Sequence, residues 1–324
     1  MRGPHNRCAL ESLRFPFPFP HPQRNSEPIK EDSQEMKIMH PALFALSLAA
    51  GGSLFAAAQE VHHPPKVLLI EREFIKPGKG GSLHDKSESH FVADMAAAKW
   101  PTHYIALSSL SGKSRALYLV GYDSFAALEN DNNATMKNAT LSAALDKDSQ
   151  ADGELLDGTD QFIFSLDDDL SYRPDVDIAQ ARDFEITSFH VKPGHGKEWH
   201  ELVSMVIEAQ KKAGTSAHWA TYEIAYGGDN EYVSFSADKS MAEIDTGNTE
   251  DKQFRDALGE DGLKRLRELE AACIESSDSE LFAINPVQSY PMDEWVKAAP
   301  DFWKPKHAAP AAKPAAKPAA KPAQ

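Results

Sequence analysis

FIKPGKGGSLHD at residues 74–85 returns 116 residues later as HVKPGHGKEWHE at residues 190–201. The match sets Lys76 on Lys192, Pro77 on Pro193, Gly78 on Gly194, Gly80 on Gly196, His84 on His200 and Asp85 on Glu201. An alternating apolar run precedes each copy and a helical pattern follows it. The Pro-Gly pair therefore reads as the turn that ends a strand and opens a helix. In the first strand Leu68, Ile70 and Phe74 share a face, and Phe184, Ile186 and His190 hold the matching face of the second. Beyond the turn, Leu83, Ser87, His90 and Phe91 in one copy and Trp199, Leu202, Val203 and Val206 in the other recur at helical spacing. That spacing predicts amphipathic helices that bury those stripes.

Outward from the phrase the two copies keep one order. Residues 104–110 and 115–122 alternate about Ser111-Gly112-Lys113-Ser114, and residues 221–226 and 231–236 about Gly227-Gly228-Asp229-Asn230; both predict hairpins. SFAAL at 124–128 and SMAEI at 240–244 predict a second helix capped by Ser124 or Ser240. QFIFSL at 161–166 and ELFAIN at 280–285 predict a last strand, with Tyr172 or Tyr290 following. Strand, helix, strand, strand, helix, strand is the ferredoxin-like split unit.

On these residues each copy resembles the dimeric α+β barrel superfamily, which includes antibiotic-biosynthesis-type monooxygenases and NIPSNAP-like proteins. The resemblance covers residues 66–172 and 183–290, with RPDVDIAQAR at 173–182 as linker. It implies an α+β fold in which two tandem ferredoxin-like βαββαβ repeats form a pseudo-dimeric α+β barrel. One chain then supplies both four-stranded sheets, with helices outside and no exposed sheet edge. Some families of this superfamily bind haem through a histidine, so the resemblance also admits a haem ligand here. No haem motif is present, and the sequence indicates no other cofactor.

The chain has 324 residues, 41% of them hydrophobic, which is enough for real cores. Its net charge is −15, and residues 59–324 hold 28 basic against 44 acidic side chains. A field of that sign opposes sequence-independent binding to nucleic acid. Residues 1–35, with FPFPFPHP at 15–22, read as an untranslated or disordered leader. From Met36 the pattern is that of a signal peptide over residues 36–58: Lys37, the apolar stretch 42–50, and Ala56-Ala57-Ala58 before Gln59. A periplasmic or secreted protein without a transmembrane segment in its mature form is expected. Residues 304–324 form an Ala/Lys/Pro-rich disordered tail, repeating AAKP, that reads as a solvated spacer or a weak tether to an anionic envelope surface.

Candidate chemistry centres on histidines and aromatics. His84 and His200 hold the same place in both copies, each in the first turn of a helix and each followed by an acid. Successive helical residues point about 100° apart, so neither histidine faces its neighbouring acid. His190 stands on a strand face where the first copy has Phe74, and an imidazole there needs a partner or a cavity. Together with His103, Tyr118, His218, Trp219 and Tyr222 it forms the candidate ligand-binding set, with His190, His84 and His200 as catalytic candidates.

No metal site is read from the sequence. With Cys8 in the expected leader, Cys273 alone cannot make a CxxC or a two-Cys, two-His zinc site, and Asp167-Asp168-Asp169 lacks the spacing and glycine of an EF-hand loop and reads as a solvated acidic turn. The acceptor patterns at Asn133 and Asn138 are incidental in a chain whose signal and tail look bacterial. P-loop, dinucleotide and serine-hydrolase motifs are absent. Three readings follow: an exported module that binds a small apolar or aromatic ligand between sheet and helices, a cofactor-independent monooxygenase-like or haem-using enzyme, and a structural envelope protein.

Overall fold

The computed structural model describes residues 63–304. The leader at 1–35, the export signal at 36–58 and the repeats of the tail after Lys304 lie outside the described residues. In chain order the elements are β1 (Val67–Ile75), α1 (Ser82–Ala98), β2 (Tyr104–Ser109), β3 (Arg115–Tyr122), α2 (Phe125–Lys137), α3 (Ala139–Asp152) and β4 (Leu156–Tyr172), then β5 (Asp183–Val191), α4 (Gly196–Ala213), β6 (Trp219–Tyr226), β7 (Glu231–Asp238), α5 (Ala242–Cys273) and β8 (Ile274–Ile284), ending in α6 (Asp293–Ala298) and α7 (Pro300–Trp303). The strands close an antiparallel barrel in the order β1-β3-β2-β8-β5-β7-β6-β4. Each copy contributes four strands in one internal order, and the seams are β2 on β8 and β4 on β6. Closure leaves neither sheet an unpaired edge.

The repeated phrase works the same way twice. Pro at the second and Gly at the third position of a tight turn suit type II geometry. Gly78 and Gly194 have φ of 79° and 85°, and Lys79 N and His195 N donate to the carbonyls of Lys76 and Lys192. The lysine that opens the turn docks it. Lys76 Nζ donates to the Glu154 carbonyl at 3.1 Å and Lys192 Nζ to the Ala271 carbonyl at 2.7 Å, each at the end of its copy's last helix, where a cation also meets the negative end of the helix dipole.

Inside the barrel, Leu68, Ile70, Leu117 and Leu119 of the first sheet meet Phe184, Ile186, Val233, Phe235 and Phe282 of the second. Ala179 and Ala181 of the linker join that core with Trp295 and Trp303, and Trp303 Nε1 donates to the Ala179 carbonyl at 3.0 Å.

Three expectations need correction. Ser124 caps α2, accepting from Ala127 N at 3.2 Å, but Ser240 makes no side-chain cap on α5; there the Glu243 carboxylate accepts from Lys239 N instead. The single second helix of the first copy is two, because Asn138 interrupts it and caps α3 by accepting from Leu141 N. The third correction matters most. Leu83, expected in the buried stripe of α1, is 44% exposed, while His84 and Glu88 are 1% and 4% exposed. The cause is where the helix starts: Ser82 opens α1, but its match in the second copy, Glu198, is already inside α4. The two helices therefore turn different faces to their sheets. In the second copy Trp199, Leu202, Val203 and Val206 are buried as expected, in an apolar layer with Phe189, Phe254, Leu266 and Leu269.

Candidate metal centre

Alternation along β1 sends Leu68 and Ile70 into the barrel, so Glu71 and Glu73 turn outward under the helices. His84 and Glu88, four residues apart on α1, descend on them, and Asp152 at the end of α3 completes the group. Ligand atoms of Glu73, His84, Glu88 and Asp152 all lie within 4.8 Å of one another, and all four residues are buried. His84 Nε2 is 3.0 Å from Glu73 Oε2, 3.9 Å from Glu88 Oε1 and 3.8 Å from Asp152 Oδ1. Tyr118, from β3, donates its hydroxyl to Glu73 Oε2 at 3.1 Å.

The second copy reaches across to finish the surroundings. Gln288, beyond β8, sets its amide nitrogen 3.1 Å from His84 Nδ1 and donates to Asp85 Oδ1 at 2.9 Å; Asn285 donates to the same Asp85 oxygen at 2.8 Å.

Three buried carboxyl groups this close cannot all stay ionised without a cation or a proton among them. Burial, with the charges of Glu73 and Asp152, pushes the Glu88 carboxyl up to about 10, and burial with the same two neighbours pushes Glu71 up to about 7. Burial next to Glu88 and Glu73 likewise raises the phenols of Tyr104 and Tyr118 well above their ordinary value. Glu88 Oε1 and both oxygens of Asp152 are sealed from water with no N–H or O–H donor. They gain a partner only if Glu88 carries a proton that it can offer to Asp152, or if a cation lies among them. First-row metal bonds of about 2.0–2.2 Å put opposite ligands about 4.2 Å apart, so small side-chain shifts would close the cluster on an ion.

The histidines and aromatics read from the sequence fall into separate surroundings. His84 is in the cluster and Tyr118 beside it. His190 and His200 are exposed. The face of β5 that carries His190 runs past the packed interior at the strand's end, so the expected apolar setting is not there. Tyr222 is inside the barrel, its hydroxyl donating to the Pro65 carbonyl, whereas Trp219 packs on Tyr172 in the second copy's helix layer. His103 stacks on Tyr290, and His218 sits between the carbonyls of Ser216 and Ala237. The acidic run enters β4, where Asp167 accepts from Leu170 N.

Two of these histidines do not fit haem. His84 Nε2 is walled by carboxylates within 4 Å, where a macrocycle has no room, and the His218 nitrogens both face carbonyls. The sequence reading passed over Glu73, Glu88, Asp152 and Gln288. Two signals pointed to the first two: paired acids, Glu71 and Glu73, on one face of a strand bound to be covered, and the four-residue spacing of His84 with Glu88; none pointed to Asp152 or Gln288.

The cluster thus lies between sheet and helices of one βαββαβ unit, in a closed barrel made of two such units. The architecture is that of a dimeric α+β barrel. Here a single chain builds both halves, and only the first half of the α+β barrel carries the polar layer. No family model matches the sequence, and no curated protein matches it. Among solved structures the chain is similar to a "Putative monooxygenase" from Fusobacterium nucleatum, with 13% identity and a TM-score of 0.48 over 69% of this chain and 94% of that one. It is similar to an anthrone oxidase-like protein, with 13% identity and a TM-score of 0.45 over 70% and 94%. A chlorite dismutase from Candidatus Nitrospira defluvii in complex with imidazole gives 10% identity and a TM-score of 0.42 over 72% and 95%.

Proposed function

We propose that this is an exported metal-binding protein of a bacterial envelope, holding one divalent cation on Glu73, His84, Glu88 and Asp152. The observation that carries the reading is Asp152: it is 2% exposed, points at Glu88 and His84, and has no N–H or hydroxyl donor on either oxygen, so that only a cation or a proton on Glu88 can satisfy it. An unpaired buried carboxylate costs several kcal/mol, on the order of what a bound cation returns. One imidazole with three carboxylates is an oxygen-rich set without thiolate, which suits Mn2+ or Fe2+ better than the softer ions. Export is read from residues 36–58. Among the described residues no helix is long and apolar enough to cross a membrane.

A second reading is acid–base catalysis without a metal, favoured by the raised pKa of Glu88, which keeps a neutral carboxylic acid beside the Tyr118 phenol. Elemental analysis of the protein purified from the periplasm, without chelator or added metal, separates the two. About one Mn or Fe per chain supports the first reading; metal-free protein that gains no metal on dialysis against Mn2+ overturns it in favour of the second.

A further inference from the structure

His84 is held at both nitrogens, and the two contacts demand different things of it. Its Nδ1 faces the amide nitrogen of Gln288, which can only donate, so Nδ1 must be the bare nitrogen and Nε2 must carry the hydrogen that goes to Glu73. The direction of the Gln288 amide is itself fixed by chemistry. Asp85 Oδ1 lies 2.9 Å from that same amide nitrogen and can only accept. Turning the amide over would set its oxygen against the Asp85 carboxylate. Asn285, which donates to Asp85 Oδ1 and takes its place from the backbone that follows β8, keeps that carboxylate where it is. Gln288 and Ser289 are 2% and 1% exposed, and Ser289 pins the segment by donating to the Asn285 carbonyl and accepting from Ala106 N.

We infer that Gln288 is the positioning residue of the cluster: it holds His84 in the tautomer that cannot ligate through Nε2, and a cation enters only as the Gln288 amide turns over. The inference rests on the metal reading for its second half alone. In the loaded state the hydrogen of His84 moves from Nε2 to Nδ1, and the Gln288 oxygen accepts it. The Nε2 lone pair is then free for the ion, the usual arrangement in which a ligating imidazole donates its other N–H to an outer acceptor. Asp85 gives up one of its two amide donors and keeps Asn285. The second copy, which has no such cluster of its own, thereby governs the site of the first through residues 285–289.

The test is 15N NMR of the histidine side chains in the full chain, stripped of metal and then titrated with Zn2+ as a diamagnetic probe. The stripped protein is expected to show a bare Nδ1 and a protonated Nε2 at His84, with the two exchanging roles on loading. The opposite tautomer in the stripped protein, or Zn2+ binding that leaves both nitrogens unchanged, overturns the inference. The expected tautomer in a protein that binds no Zn2+ overturns the metal reading and the amide turn with it, and leaves the tautomer assignment standing. Asp85→Asn supplies an independent arm, since it removes the charge that holds the amide. Loss of a nearby negative charge on its own weakens cation binding; release of the amide is expected to tighten Zn2+ binding about tenfold, the worth of one charge-assisted hydrogen bond. Weaker binding by Asp85→Asn contradicts the role given to Gln288.

Discussion

His84 Nε2 stands 3.0 Å from Glu73 Oε2, an imidazole against a carboxylate with both residues more than nine-tenths buried. In the second repeat the corresponding strand and helix bring together Phe189 and Trp199, ring centroids 5.0 Å apart. One backbone plan thus carries an apolar layer in one copy and a charged layer in the other. The apolar layer stabilises the barrel, and the charged one is free to do chemistry at a cost in stability.

That cost is measurable. Asp152→Leu, which removes a buried carboxylate with no N–H or hydroxyl donor from its place next to Glu88, should raise the unfolding free energy of metal-free protein by about 1 to 3 kcal/mol. Urea denaturation of both proteins in the presence of chelator checks it. A destabilised variant would mean that a proton on Glu88 satisfies Asp152 in the metal-free chain, as the acid–base reading requires.

The different rotation of the two first helices predicts unequal sensitivity at positions that the sequence aligns. Leu83→Gln, on an exposed side chain, should change stability by no more than about 0.5 kcal/mol. Trp199→Ala, at 1% exposure, should cost about 3 to 5 kcal/mol. Thermal melts of the two variants decide the point.

What the sequence made legible was the periodic part. The Lys-Pro-Gly turns, the hairpins and the order of elements follow from spacing and turn chemistry, and they suffice for the closed barrel. The face of α1 was not legible, because apolar spacing chose Leu83 and the late start at Ser82 turns His84 inward instead. Nor could the site be assembled from local pattern. Asp152 and Gln288 lie 68 and 204 residues from His84 in the chain, and only closure of β2 on β8 brings Gln288 to it. A search for histidines and aromatics, the side chains of an apolar pocket, passes over glutamates on a strand that looks half solvated.

Stability should also depend on pH. Burial, with Glu185, Glu243 and Asp183 nearby, raises Asp238 to about 8, and burial raises Glu270 to about 7. Each carboxyl then holds its proton to higher pH in the folded chain than in the unfolded one, where it ionises near pH 4. Between about pH 4 and pH 8 the folded state binds more protons, so stability is fullest at the acidic side of that window and falls as pH rises. Metal-free protein should unfold at lower urea at pH 8 than at pH 5, and Asp238→Asn should flatten the difference. An increase in stability from pH 5 to pH 8 would refute the assignment.

Closure by seams between the copies predicts that neither copy stands alone. Residues 60–178 would expose the edges of β2 and β4, which the second copy covers through β8 and β6. Expressed alone, that fragment should dimerise or aggregate in size-exclusion chromatography with light scattering. A stable monomer would contradict the seams as the source of its stability.

The most direct measurement is a calorimetric titration of chelator-stripped protein with Mn2+, run beside Asp152→Leu. One site per chain in the wild type, lost in a variant that is folded and more stable in the absence of metal, is the predicted result. Failure of the wild type to bind Mn2+, or equal binding by Asp152→Leu, would contradict the assignment of Glu73, His84, Glu88 and Asp152 as a metal centre.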